Sequence, residues 1–175
     1  MKPTKGVDAV EILARCEVFL GLDDSDLQKI AALPSCRLEV YEPGETISQQ
    51  GEVAQKLYVL DEGKVSLVMN LPPQASRTAR QVVIDTVTTG GIFDWSALVP
   101  PHILTRSVVC VEQARVLAIN GAELLQLMEH EPRIGYEVMS GLTRVVGWRL
   151  REVQKLFAGI KGELIHQGRN KGLVG

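Results

Sequence analysis

The sequence predicts a mainly β fold with flanking α-helices: an antiparallel sandwich or barrel between helical segments. Three observations carry this. From Leu38 to Ile119, short runs rich in Val, Ile, Leu and Tyr recur between turn signals, the pattern of many short antiparallel strands. On both sides of that stretch, over 8–33 and again after Asn120, apolar residues recur at helical spacing. The chain has 175 residues, 45% hydrophobic and 23% charged. That suits a single domain burying roughly 70% of its unfolded surface, with no metal or disulfide needed to hold its core.

The elements follow in order. Residues 8–33 read as helices, with Val10, Ile12 and Leu13, then Phe19, Leu20 and Leu22, as the apolar positions. Any of Asp23, Asp24 or Ser25 can cap the next helix, and Pro34 ends it. Strands are expected near 36–41, 45–49, 56–61, 63–70, 80–87, 104–112 and 113–119. Pro43-Gly44, Gly51-Glu52, Glu62-Gly63, Pro72-Pro73 and Gly90-Gly91 mark the turns. The polar stretch between Leu71 and Arg80 reads as a mobile hairpin loop. A helix over 121–130 comes next, and Pro132 opens a longer one reaching at least Phe157. Along it Met139, Val146, Val153 and Ile160 repeat every seven residues. Leu142 and Leu156 hold the alternate position, interrupted by Arg149. This spacing predicts a short dimer seam, although a helix packed on its own barrel shows the same stripe. Gly141, Gly147 and Gly159 lower helicity and point to close helix approach. The expected boundaries are a domain over 1–165 (helices 8–33, β-barrel 36–119, helices 121–165) and a flexible tail over 166–175.

Composition excludes several classes of function. With 19 Lys+Arg against 21 Asp+Glu the net charge is -2, which disfavours a nucleic-acid binder driven by electrostatics. No apolar run approaches the roughly 20 residues that span a bilayer, so no membrane partner is expected. Cys16, Cys36 and Cys110 are far apart with no CxxC pair. This points to free thiols in a reducing, cytoplasmic setting, with a thiol switch at Cys110 as the sharper alternative. His102, His130 and His166 are scattered, and no H-x-H pair or nucleophile motif is present. Neither a metal site nor an enzyme is expected.

The segment YEPGETISQQGEVAQKLYVLDEGKVSLV carries Gly44-Glu45, Gly51-Glu52, Leu57-Tyr58, Leu60, Gly63 and Val65. In these residues it resembles the first half of a cyclic-nucleotide-binding domain of the catabolite-activator superfamily. The resemblance extends over about 15–158. It implies an eight-stranded antiparallel jelly-roll (double-stranded β-helix) barrel with N-terminal helices and a long C-terminal helix. It also implies a ligand cassette reading approximately F-G-E-x-A-L, a loop, then R-[AST]-A-x-V-x-A. In that cassette a helical turn and the Arg hold the cyclic phosphate, and the Glu holds the ribose hydroxyl.

Here the cassette is GIFDWSALVPPHILTRSVVC. Phe93, Ala97 and Leu98 match. Asp94 stands where the Gly belongs and Trp95 where the Glu belongs. Counting back from Val108 and Cys110 puts Leu104 in the Arg position and Thr105 next to it. Arg106 is then expected to face the other side of the strand. On the long helix, Arg149-Leu150 stands where the resemblance implies a Thr-Ser pair against the base. Losing the Arg–phosphate and Glu–ribose contacts together corresponds to about 3–6 kcal/mol, or about 10²–10⁴-fold in affinity. Trp95 and Leu104 either fill the pocket or line one for a different ligand. In the latter case Trp95 stacks, while Ser96, Thr105 and Arg149 supply polar contacts.

The expectation is a non-catalytic regulatory module with an altered pocket that is not a tight cyclic AMP binder. It needs no cofactor beyond a cyclic nucleotide or other small ligand. The candidate pocket residues are Phe93, Asp94, Trp95, Ser96, Ala97, Leu98, Leu104, Thr105 and Arg149. The expected partner is a second copy, paired through Met139, Leu142, Val146, Arg149, Val153, Leu156 and Ile160. A true cyclic AMP or cyclic GMP sensor and a purely structural interaction module are the alternatives. About 15 residues follow the long helix, where the resemblance implies a DNA-reading domain of some 70, so direct DNA binding is not expected from this chain.

Overall fold

The structure, a computed structural model, describes residues 7–71 and 80–171. Helix α1, Val7–Arg15, buries Ala9, Ile12 and Leu13, the i, i+3, i+4 face of an amphipathic helix. Helix α2, Asp24–Ala31, takes Asp23 as its cap: the carboxylate accepts from the Asp26 N–H at 3.0 Å. That donation holds the Asp23 carboxyl below its ordinary range.

Six strands follow: β1 Arg37–Tyr41, β2 Thr46–Ser48, β3 Lys56–Leu71, β4 Arg80–Val87, β5 Ile92–Phe93 and β6 Ser107–Asn120. Every pairing is antiparallel. The order is β1-β6-β3-β4, with β2 added on β6 and β5 on β3. Two expected breaks are absent: 56–61 joins 63–70 in β3, and 104–112 joins 113–119 in β6. The chain bends there instead of stopping, with register shifts between Leu60 and Glu62 and on to Val65. Divided at this bend, the two long strands count twice, giving the eight strands of a jelly-roll. Gly63 makes the bend possible: it sits at φ +90°, and a Cβ on it would overlap the Gln113 carbonyl of β6. The expected loop over 72–79 lies outside the described residues, but its flanks Leu71 and Arg80 pair.

The barrel interior gathers Tyr58, Leu60, Leu67, Phe93, Val108 and Val116 with their neighbours. Outside that cluster, β3 also carries a buried carboxylate. Asp61 is 3% exposed and is held by Arg15 at 2.8 Å and Arg115 at 2.5 Å. Two cations at its two oxygens compensate the desolvation of a charge, and the pairing ties α1 to β3 and β6.

Helix α3, Gly121–His130, is capped by Asn120, which accepts from the Glu123 N–H at 3.1 Å. Helix α4 runs unbroken from Pro132 to Lys171, past the boundary expected at 165. Extending an existing helix adds one hydrogen bond per residue without a new nucleus, so the Gly168 it crosses is tolerated. The remainder of the expected tail, 172–175, lies outside the described residues.

The chain forms two compact units, residues 1–141 and 142–175. In the first unit Arg133 of α4 pairs with Asp26 and, at 3.2 Å, with Asp23. Gly141 there lies so close to the Val18 backbone that a Cβ would collide with it, the close approach its sequence suggests. Gly147, in the second unit, has only the Arg151 side chain, 3.8 Å from an added Cβ, and shows no such approach. Among the described residues no helix is long and apolar enough to cross a membrane.

Candidate functional site

The cassette begins on β5, which pairs Phe93 with Tyr58 of β3. The two rings stack with centroids 4.9 Å apart and planes 12° from parallel. Phe93 is fully buried, so it acts as the floor of the site. The next residue breaks two local rules at once. Asp94 has φ 57°, the left-handed region a side chain adopts at a cost of about 1 kcal/mol. It is also a carboxylate only 5% exposed. The turn after it, Trp95–Leu98, is a single turn of 3₁₀ helix. Ala97 and Leu98 are buried, while Trp95 and Ser96 are half-buried.

A cleft of about 370 Å³ opens beside this turn, lined among others by Ser48, Glu52, Lys56, Tyr58, Asp94 and Leu104. That volume falls within the range of small-molecule sites. Leu104 is buried with Ala54 and Ala97. Its backbone is bonded on both sides to the Gly51-Glu52 turn: the Leu104 N–H donates to Glu52 at 2.9 Å, and the Gly51 N–H donates to Leu104 at 2.8 Å. Leu104 therefore walls the cleft without filling it. Thr105 is exposed. Arg149 is half-buried on α4 in the second unit.

Arg106 is where the structure departs from the expectation. Arg106 lies in a bend immediately before β6, not within the strand. Its guanidinium sits over the Trp95 ring, 5.9 Å from the centroid, and its charge acts on Asp94. Ser48 and Lys56 were not singled out in the sequence, and Glu52 and Tyr58 were read only as marks of the fold, not of the site. Ser48 reaches the cleft because β2 pairs it with Val108, a contact no local motif announces.

Burial pushes the Asp94 carboxyl up to about 6, with the Ser48 hydroxyl and the Arg106 charge pulling the other way. Tyr58, facing the same space, is pushed up to about 12, chiefly by burial. Three buried polar atoms here have no hydrogen-bond partner: Asp94 Oδ1, Ser48 Oγ and Trp95 Nε1. Such atoms are uncommon in folded proteins and concentrate at functional sites.

The raised carboxyl makes stability depend on pH. Between the unfolded value of 3.8 and the folded value of about 6, the folded chain holds a proton that the unfolded chain releases. Stability therefore falls as pH rises through this window and is level above it. Above about pH 6, Asp94→Asn is expected to exceed the wild type by up to about 3 kcal/mol. The gap should close towards pH 4, as read by denaturant unfolding across the range. A difference that does not vary with pH would contradict the assignment.

The thiols show no activated site. Burial pushes Cys16 up to about 12 and Cys36 to about 11. Cys110 is raised by burial as well, and its Sγ–H donates to the Glu112 carbonyl at 2.9 Å. Among the described residues no group of His, Cys, Asp and Glu is placed to hold a metal ion.

An antiparallel jelly-roll with a cleft beside a one-turn helix, followed by a long helix, is the class of domain this fold defines. The profile of the family described as cyclic nucleotide-binding domain matches residues 38–131, and the chain belongs to that family. It is 26% identical over 163 residues to a CRP-like cAMP-activated global transcriptional regulator of Mycobacterium tuberculosis, covering 90% of this chain and 67% of that one. A solved structure of a Geobacter metallireducens protein described as cyclic nucleotide-binding is 29% identical with a TM-score of 0.67, covering 81% of this chain and 98% of that one. The regulatory subunit of a cAMP-independent protein kinase A from Trypanosoma brucei, in a mutant bound to cAMP, shares the fold. It is 19% identical with a TM-score of 0.66, covering 85% of this chain and 50% of that one.

Proposed function

We propose that this chain is a non-catalytic regulatory module whose altered barrel cleft does not bind cyclic AMP tightly, and which signals through pairing of α4. The observation that carries the reading is Asp94, a buried carboxylate in the cleft where the resemblance places a glycine against a phosphate. An anion meeting another anion in a poorly solvated site is repelled more strongly than in water. Trp95 in place of the ribose-binding Glu removes a second contact. The three free cysteines support a cytoplasmic setting.

The test is thermal unfolding with about 1 mM cyclic AMP or cyclic GMP. A ligand at about 100 times its dissociation constant adds about 2.7 kcal/mol, which for this size raises the midpoint by about 5–10 °C. No shift is expected from either nucleotide, and a shift of that size would overturn the reading.

Pairing through α4 is supported by its second unit. Leu150, Val153 and Phe157 are exposed and Val146 is half-buried, and the spacing 146, 150, 153, 157 keeps them on one helical face. Leu142 is buried. The alternate seam position is therefore better assigned to Leu150 and Phe157 than to Arg149 and Leu156. The side chains of Leu156 and Ile160 lie outside the described residues. Met139, in the first unit, is 38% exposed. Sedimentation should find a dimer that Leu150→Glu converts to monomer and Arg149→Ala leaves intact; a monomeric wild type would remove this part of the reading.

One observation favours the alternative of a true cyclic-nucleotide sensor. Arg106 lies over Trp95 and its charge acts on Asp94, near where a phosphate clamp is needed. On that reading cyclic AMP raises the midpoint and Arg106→Ala abolishes the shift.

A further inference from the structure

The cleft has polar demand of a definite sign. Asp94 and Ser48 both line it, and although the Ser48 hydroxyl lies near enough to act on the Asp94 carboxylate, neither Asp94 Oδ1 nor Ser48 Oγ completes a hydrogen bond. Glu52 adds a second carboxylate to the lining. Among the described lining residues the cation is Lys56, and it is already engaged. Its ammonium donates to Glu39 at 2.9 Å and lies 5.8 Å from the centre of the Tyr58 ring. Arg106 is not among the lining residues, and its guanidinium is stacked over Trp95. An unpartnered acceptor oxygen in a net acidic cleft is complemented by a donor and opposed by an anion.

We propose that the cleft selects a small ligand that donates N–H or O–H groups and carries no negative charge, gripped by Asp94 and Ser48. The proposal rests on the reading of the cleft as an altered ligand site and adds the class of ligand. Asp94 is the discriminating group, since an ionised carboxylate can only accept. The groups acting on it are Ser48 and Arg106, and it acts in turn on Tyr58. At about pH 8, above the value of about 6 at which Asp94 titrates, it is ionised and the selection is fullest.

The experiment is calorimetric titration of the full chain at about pH 8 with three probes: adenosine (uncharged, rich in donors), agmatine (cationic) and cyclic AMP (anionic). Adenosine or agmatine should bind at least about tenfold more tightly than cyclic AMP. Asp94→Gly fits the left-handed backbone and should fold; it is expected to weaken that binding at least about tenfold. Asp94→Asn, which keeps the shape and loses the charge, is expected to fall between them for agmatine. Unchanged binding in Asp94→Gly overturns the proposal. If no probe binds the wild type, this inference fails while the altered-cleft reading stands. Tight binding of cyclic AMP by the wild type overturns both.

Discussion

Replacing Asp94 by Gly and Trp95 by Glu together is expected to raise affinity for cyclic AMP by about 10²-fold or more. Two changes add. Removing the Asp94 carboxylate takes a buried negative charge, 5% exposed, away from the place where the resemblance puts a phosphate. The carboxylate introduced by Trp95→Glu supplies the acceptor for a ribose hydroxyl. A charge-assisted hydrogen bond of that kind contributes about 1.5–3 kcal/mol, and every 1.4 kcal/mol is about tenfold. Arg106 stands near both positions, so a cation is already close to the cassette. The Gly also relieves the left-handed strain at φ 57°, so the double variant should unfold no earlier than Trp95→Glu alone. Titration of the double variant and the wild type with cyclic AMP decides it. Equal affinities would mean that the cassette is not what limits binding.

The second large effect concerns the barrel rather than the cleft. Gly63→Ala is expected to destabilise the chain by about 3 kcal/mol or more, which lowers the midpoint by about 10 °C. Two costs coincide there. The backbone is at φ +90°, and an added Cβ would meet the Gln113 carbonyl and the Ala114 backbone of β6. Neither of those atoms is the far end of a flexible side chain, so strand β6 itself must move. Gly44→Ala is the control. It has the same φ of +90° with nothing within 4 Å of an added Cβ, so it carries the strain alone, about 1 kcal/mol. Equal losses in the two variants would show that the bend does not depend on the contact with β6.

The elements were legible in the sequence to different degrees. Helix α3 over 121–130, the Pro132 start of α4 and the Asp23 cap follow from local chemistry: spacing, a missing N–H, and a short side chain that accepts from the backbone. The joins within β3 and β6 were not legible. Glu62-Gly63 reads as a turn, and only pairing to β6 makes it a bend in a continuous strand. The heptad spacing of apolar residues on α4 was legible in the sequence, but which of them stay exposed was not. Leu142 and Leu150 are the same residue type, and burial rather than identity separates them.

Periodicity and residue identity at fixed positions were enough for the fold family, the order of elements and the two foreign residues in the cassette, Asp94 and Trp95. What surrounds those two residues came from the three-dimensional arrangement. It brought Ser48 of β2 and Glu52 to the same cleft as Asp94. It set Arg106 over the Trp95 ring and near Asp94, whose Oδ1 is buried without completing a hydrogen bond. Burial and electrostatic environment are sums over residues distant in the chain. Pairing of β2 with β6 and of β5 with β3 sets those sums, and no local spacing encodes them.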